Sequence, residues 1–300
     1  MWRHRTGGRA AYSAWTMSVD VLPANVSSAV AATVDSYLQR VRSHAPGMVD
    51  GVYLTGSVAL GDVHPGRSDV DVVTVLRARP DAEGLRALAD LHEGLALPDR
   101  RDPAWDRTRA RFDGWYLTWD DLAAAPAPGV TLGLRALDRR LFRGPGWVPP
   151  ALLWHELAEH ALHVAGPSLE GRVAVPGPEA VRASCRQTLD RQWVPWWQRT
   201  AKTASAAGLG ALGPLAPATG VLGVARIRYT LETGRVTSKC GGGEWALDTM
   251  HPRWRRILTE ALRVRHRPDR PSLYRSPWQR RRDALAFVDA VLTEAESTDD

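Results

Sequence analysis

Residues 53–75, YLTGSVALGDVHPGRSDVDVVTV, decide how this chain is read. They begin inside a short predicted strand, residues 51–55 (GVYLT), rich in β-branched and aromatic residues and stopped by Gly56 and Ser57. After the turn-rich segment GDVHPGRS comes a second predicted strand, residues 69–77 (DVDVVTVLR), whose valines predict burial on both faces of a sheet. Side chains alternate along a strand, so Asp69 and Asp71 point the same way and can share a hard, oxygen-seeking cation such as Mg²⁺. The Gly56-Ser57 turn offers open backbone N–H groups and a hydroxyl, which suit phosphate oxygens. Together the two features predict phosphate beside Mg²⁺.

On the N-terminal side, residues 26–44 carry Val30, Val34, Leu38 and Val41 at helical spacing, with Ser27 or Ser28 as the cap. On the C-terminal side, residues 81–97 repeat the pattern with Leu85, Leu88, Leu91 and Leu95, and residues 112–118 (FDGWYLT) read as a third strand. Asp113 stands there among Phe112, Gly114, Trp115 and Tyr116, a setting in which a lone carboxylate needs a chemical reason or a turn to cap. In-line attack on phosphorus needs a base near the metal-held nucleophile, and Asp113 is the candidate.

The first half is therefore an α/β (α+β) domain with a mixed sheet. A Gly/Pro cluster at residues 144–150 (GPGWVPP) marks a boundary, dividing the chain into residues 1–147 and 148–300. The second part is read as all-α, with helix-period segments at 151–164, 178–197, 220–232, 253–265 and 280–295. The first 16 to 20 residues read as disordered, with Met17 an alternative start.

Composition sets the outer limits. The chain has 300 residues, 44% hydrophobic and 24% charged, which excludes disordered, fibrous and membrane-embedded classes. One core usually serves no more than about 250 residues, so two domains are expected. Of 39 basic residues only Lys202 and Lys239 are lysine, leaving 37 arginines, and Asn and Ile are scarce, as a GC-rich genome produces. A net charge of +6 without a concentrated stripe does not predict nucleic acid as a partner. Cys185 and Cys240 form no disulfide framework, and no apolar stretch follows the basic N-terminus, so a cytoplasmic protein is expected. Residues 204–225 are uncharged but built of Ala, Gly, Ser, Thr and Pro, with breaks at Pro214 and Pro217. They read as a loop entering a short helix, and no membrane partner is expected.

Three local patterns carry no chemistry. GLGALG at 208–213 matches a dinucleotide fingerprint but follows no strand and runs into Pro214. His155, His160 and His163 miss the i, i+4 spacing of a zinc helix because position 159 is Glu. The glycines at 241–243 follow Lys239 rather than precede it, so they form no phosphate loop of the Walker type and read as an ordinary loop.

The Gly-Ser, spacer, Asp-x-Asp pattern of LTGSVALGDVHPGRSDVDVV resembles the DNA polymerase β-like nucleotidyltransferase superfamily. Within it the whole chain is similar to the aminoglycoside adenylyltransferases of the streptomycin/spectinomycin type, which join such a domain to a helical C-terminal one. FDGWYLTWDDL resembles that family's third strand, whose acidic residue is base and metal ligand, a role that falls on Asp113. LHVAGPSLEG resembles its Gly-Pro element, and ARIRYTLETGRVTSK resembles the motif whose Arg and final Lys reach the ATP phosphates, here Arg226 and Lys239. A lysine at that position in so arginine-rich a chain fits a site that calls for a compact ammonium.

The resemblance implies ATP and Mg²⁺ bound between the domains, with Gly56, Ser57 and Ser68 near the phosphates and Asp69, Asp71 and Asp113 on the metal. It implies transfer of AMP to a hydroxyl of a small molecule, an aminoglycoside-type antibiotic first. One departure concerns the acceptor. Residues 200–225, where the streptomycin-type enzymes present carboxylates, contain none. Glu156, Glu159, Glu232 and Glu244 are the acidic candidates, and Trp193, Trp196 and Trp197 read as core before they read as an aromatic wall. The alternatives are a nucleotide- or ligand-binding protein without turnover, or nucleotidyl transfer to RNA or protein. The oligomeric state is left open.

Overall fold

The computed structural model describes residues 22, 26–64, 68–95, 111–124, 126, 130–144 and 149–297. The expected disordered start with Met17, and residues 145–148 of the expected linker, lie outside the described residues. The chain divides into two compact units, Met1–Val175 and Pro176–Asp300.

In the first unit α1 (Ser28–His44) leads into β1 (Val49–Thr55), the single turn α2 (Gly56–Ala59), β2 (Val70–Leu76), α3 (Ala82–Glu93) and β3 (Phe112–Thr118). Then follow α4 (Trp119–Ala123), the hairpin β4 (Leu134–Leu137) and β5 (Arg140–Arg143), α5 (Ala151–Glu159) and β6 (Leu162–Ala165). The strands form one mixed sheet in the order β5-β4-β3-β2-β1-β6. Only β2 and β3 pair in parallel, because α3 lies in the crossover between them; the other pairs are antiparallel.

Both faces of the central strands are covered, which is why they are runs of valine. On one face Val34, Leu38, Leu88 and Leu91 from α1 and α3 pack against Leu54, Val72 and Phe112. On the other, Leu153, Trp154 and Leu157 of α5 cover Tyr53, Val73, Val75 and Leu117. Local signals start the helices: Ser27 accepts the Val30 N–H at 3.4 Å, and Asp81 accepts the Gly84 N–H at 2.8 Å.

A polar chain runs through the first of these cores. The Asp138 carbonyl can only accept, so His92 Nδ1 donates to it at 3.2 Å and Nε2 accepts the Tyr116 hydroxyl at 2.7 Å. Tyr37 in turn donates to Tyr116 at 3.1 Å and receives the Thr74 hydroxyl at 2.6 Å. Tyr37, Thr74, His92 and Tyr116 are all buried, and each donor has its acceptor.

Two expectations change here. Residues 151–164 are not one helix: α5 ends at Glu159, and β6 pairs with the edge of β1. The strand satisfies backbone groups that β1 would otherwise expose, so the first unit extends past the cut at 147/148 to Val175. The Gly-Pro element follows directly. Gly166 has φ +95° with its Cα against the Asp50–Gly51 backbone, and the Pro167 carbonyl accepts the Tyr53 hydroxyl at 2.6 Å.

The second unit is helical throughout its described residues. α6 (Pro178–Thr188) is followed by a wide π-type turn at Leu189–Trp193, then α7 (Val194–Ala201), α8 (Ala206–Gly210) and the central α9 (Leu215–Thr233). α10 (Lys239–Thr249), α11 (Arg255–His266) and α12 (Pro277–Ser297) pack around α9. The helix expected over 178–197 is interrupted because Pro195 brings no N–H and crowds the carbonyl of Arg191, which the wider turn accommodates.

Trp193 is a core residue and Trp196 half-buried, seated against Gly223 and Gly220 of α9, where a Cβ would strike their rings. The glycines at 241–243 lie inside α10 rather than in a loop. Gly242 meets the Arg226 backbone and Gly243 meets Leu222, a helix approach that side chains would block. Among the described residues no helix is long and apolar enough to cross a membrane.

Candidate active site

β1 delivers the chain to Gly56, whose φ of +61° is a left-handed conformation that glycine adopts without strain. Asp71 lies opposite Thr55 across the β1–β2 ladder, and its carboxylate packs where a Cβ on residue 56 would project. The Gly56 N–H donates to Glu156 Oε2 at 3.2 Å, so α5 brings a further carboxylate to the turn. Ser57 accepts the Asp62 N–H through its carbonyl at 2.9 Å, and Asp62 Oδ1 lies 2.6 Å from His64 Nε2. Ser68 closes the loop that follows: its hydroxyl accepts the His64 N–H at 2.9 Å and its N–H donates to the His64 carbonyl at 2.9 Å. That closure sets where Asp69 and Asp71 emerge.

The parallel register pairs Asp71 with Asp113, so the two carboxylates leave neighbouring strands on the same face. The Val70 N–H donates to the Arg111 carbonyl at 2.7 Å and fixes that register at its first rung. Asp69, one residue before β2, is exposed, while Asp71 and Asp113 are half-buried. Asp69, Asp71 and Asp113 offer carboxylate oxygens alone, hard donors of the kind that Mg²⁺ takes and softer metals do not favour.

Two arginines offset this negative charge. Arg135 of β4 donates from Nε to Asp113 Oδ1 at 3.1 Å and from Nη2 to Oδ2 at 2.6 Å. Arg111 is held by the Asp138 carboxylate, with Nε donating to Oδ2 at 2.9 Å, and Asp138 itself sits at a φ of +51°. The bonds to Asp138, and behind them the charges of Asp69 and Asp113, hold the Arg111 guanidinium above its ordinary pKa. No sequence signal singled out either arginine. In a chain with 37 of them an arginine carries little information, and β4 is too short for alternation to show.

In the second unit Arg226 lies half-buried midway along α9. Lys239 is the first residue of α10, whose cap Ser238 accepts the Gly241 N–H at 3.0 Å. Gly242, one turn after Lys239, is the residue that packs on the Arg226 backbone, so the two cations flank one helix contact.

A mixed sheet that brings a Gly-Ser turn and in-register carboxylates to one end defines a nucleotidyltransferase, and residues 34–102 match the nucleotidyltransferase domain. Residues 204–294 match the C-terminal domain of aminoglycoside adenylyltransferases. The chain is thus similar to a nucleotidyltransferase domain in its first part and to the aminoglycoside adenylyltransferases in its second. Among solved structures it is similar to the spectinomycin adenyltransferase AAD(9) from Enterococcus faecialis, determined with ATP and spectinomycin. The TM-score is 0.61 at 12% identity, over 87% of this chain and 98% of that one, a likeness of fold. No curated protein sequence matches the chain significantly.

Proposed function

We propose that this enzyme transfers AMP from ATP to a hydroxyl of an aminoglycoside-type antibiotic, with Asp69, Asp71 and Asp113 holding Mg²⁺. The observation that carries the reading is the register of Asp71 with Asp113 beside the Gly56 turn. Mg²⁺, when bound, supplies Lewis-acid polarisation of the phosphate and lowers the cost of ionising the hydroxyl.

Asp113 takes the proton of the acceptor hydroxyl. That oxygen bonds to the α-phosphorus, and the bond from the α-phosphorus to the bridging oxygen breaks with its electron pair, so that pyrophosphate leaves. Gly56, Ser57 and Ser68 belong to the loop assigned to the phosphates. Arg226 and Lys239 are assigned to them on the family motif. Their task is to position the nucleotide and to stabilise charge where it develops. Cys185 and Cys240, both thiols, suit a cytoplasmic enzyme.

The test is pyrophosphate release from Mg·ATP over a panel of aminoglycosides and spectinomycin, comparing the native chain with Asp113→Asn. Release that needs both an acceptor and Asp113 supports the reading. Silence across the panel, with Mg·ATP still raising the melting temperature, would leave a nucleotide-binding protein or another acceptor.

A further inference from the structure

Asp113 does not stand alone on its strand. Both its oxygens receive an N–H of Arg135, at 3.1 and 2.6 Å, in the paired geometry that a planar guanidinium imposes on a carboxylate. The pair is partly shielded, the two side chains being 25% and 23% exposed. Arg135 is itself held in place: it lies directly opposite Trp115 on the β3–β4 ladder, and its guanidinium carbon sits 4.9 Å from the centre of the Trp115 ring. Trp115 is two residues beyond Asp113 on the same face. Sheet register, ring and guanidinium therefore fix the carboxylate plane together.

We propose that Arg135 is a positioning residue for Asp113, acting in the proposed transfer by locking the carboxylate plane and by offsetting the negative charge of Asp113 and of Asp71 beside it in the register. The inference rests on the reading of Asp113 as base. A carboxylate has about four lone-pair directions. Arg135 takes one on each oxygen, which leaves one on each for an acceptor hydroxyl and a cation. Without the fork the carboxyl group turns about its terminal torsion, whose preference is broad, and the proton acceptor loses its aim. The same guanidinium repels any divalent cation that approaches the cluster. Removing it therefore has two effects of opposite sign: slower turnover and tighter metal binding. An ion pair that served stability alone would produce neither.

The experiment compares the native chain with Arg135→Gln and Arg135→Lys. Turnover is followed by pyrophosphate release with ATP and spectinomycin, and Mn²⁺ affinity of the nucleotide-free protein by electron paramagnetic resonance. Melting temperature is recorded alongside. For Arg135→Gln the expected result is a fall in kcat of about 100-fold with little change in KM for ATP, the size of a misplaced reacting group. Mn²⁺ affinity is expected to rise about fivefold, as loss of one nearby positive charge implies. Arg135→Lys, which keeps the charge and loses the fork, should retain native Mn²⁺ affinity and still turn over slowly.

Native turnover in Arg135→Lys would overturn the proposal. So would unchanged Mn²⁺ affinity in Arg135→Gln, an arm that needs no acceptor. Asp113→Asn separates this proposal from the reading beneath it. If that variant keeps both turnover and Mn²⁺ affinity, the role of Asp113 fails. If it loses them while the Arg135 variants behave as native, only the role of Arg135 fails.

Discussion

The Asp71 carboxylate occupies the space that a Cβ on Gly56 would need, and Gly56 holds a φ of +61° beside it. A side chain at position 56 therefore meets two obstacles, a left-handed backbone that costs an L-residue about 1–2 kcal/mol and a carboxylate that must move. Gly56→Ala is expected to lower the melting temperature by a few degrees and to cut turnover by about 100-fold by shifting Asp71. Scanning calorimetry and pyrophosphate release would check the two halves. A variant with native turnover would show that the position of Asp71 is not critical.

His92 makes the first unit sensitive to acid. Burial pushes its pKa from 6.5 down to about 4, and its hydrogen bonds to Asp138 and Tyr116 use the neutral ring. Below pH 6.5 the unfolded chain binds a proton that the folded chain refuses until about pH 4. The stabilisation is thus complete above pH 6.5 and is lost as pH falls through that window, by about 3 kcal/mol in all. His92→Gln removes the titrating ring and should flatten denaturant-derived stability between pH 6.5 and 4 relative to the native chain. Parallel curves would refute the assignment.

Glu260 plays the corresponding structural part in the second unit. It is 1% exposed, yet it accepts from Arg263 Nε at 2.9 Å, from the Ser272 hydroxyl at 2.6 Å and from the Leu273 N–H at 2.9 Å. Burial alone would push its carboxyl up, but these bonds hold it below the ordinary carboxylate range. The residue pins the segment between α11 and α12. Glu260→Ala leaves three part-buried donors without this acceptor and should cost about 1–3 kcal/mol. Urea unfolding monitored by tryptophan fluorescence would measure it, and a loss below 1 kcal/mol would count against this role.

Gly223 and Trp193 form a slot and its filler. The Trp193 ring lies where a Cβ on Gly223 would project, and Trp193 is 3% exposed. Gly223→Ala is expected to destabilise by about 1–3 kcal/mol through overpacking, and Trp193→Ala by about 3–5 kcal/mol through the cavity it leaves. The double variant should cost less than the sum, because the added methyl fills part of the void. Strict additivity in calorimetry would show that the two do not pack together.

Much of the first unit was legible because its elements announce themselves locally. The helical stripe of Val30, Val34, Leu38 and Val41 gave α1 with the Ser27 cap, and the valine run after Asp69 gave β2. The hairpin of β4 and β5 was not legible, since two four-residue strands rich in arginine show no alternation. Arg135 was hidden with it. β6 was read as helix because Leu162–Ala165 takes its form from the unpaired edge of β1, more than a hundred residues earlier in the chain. Gly242 and Gly243 read as loop from their place after Lys239, whereas the contact that requires them in a helix is a distant one, the close approach of α10 to Arg226 and Leu222 on α9.

By itself the sequence determined the two-part organisation, the mixed α/β character of the first part, the helical second part, and the Gly-Ser and Asp-x-Asp patterns that mark a nucleotidyltransferase. These follow from periodicities of 2 and 3.6 and from turn chemistry, which act between near neighbours. Only the tertiary structure decided that Asp71 stands in register with Asp113, that Arg135 grips Asp113, and that Glu156 reaches the Gly56 N–H. Each of those joins residues tens of positions apart. A one-residue slip in strand register would turn every side chain to the other face, and what prevents it is the burial of both faces of the sheet together, which no single segment encodes.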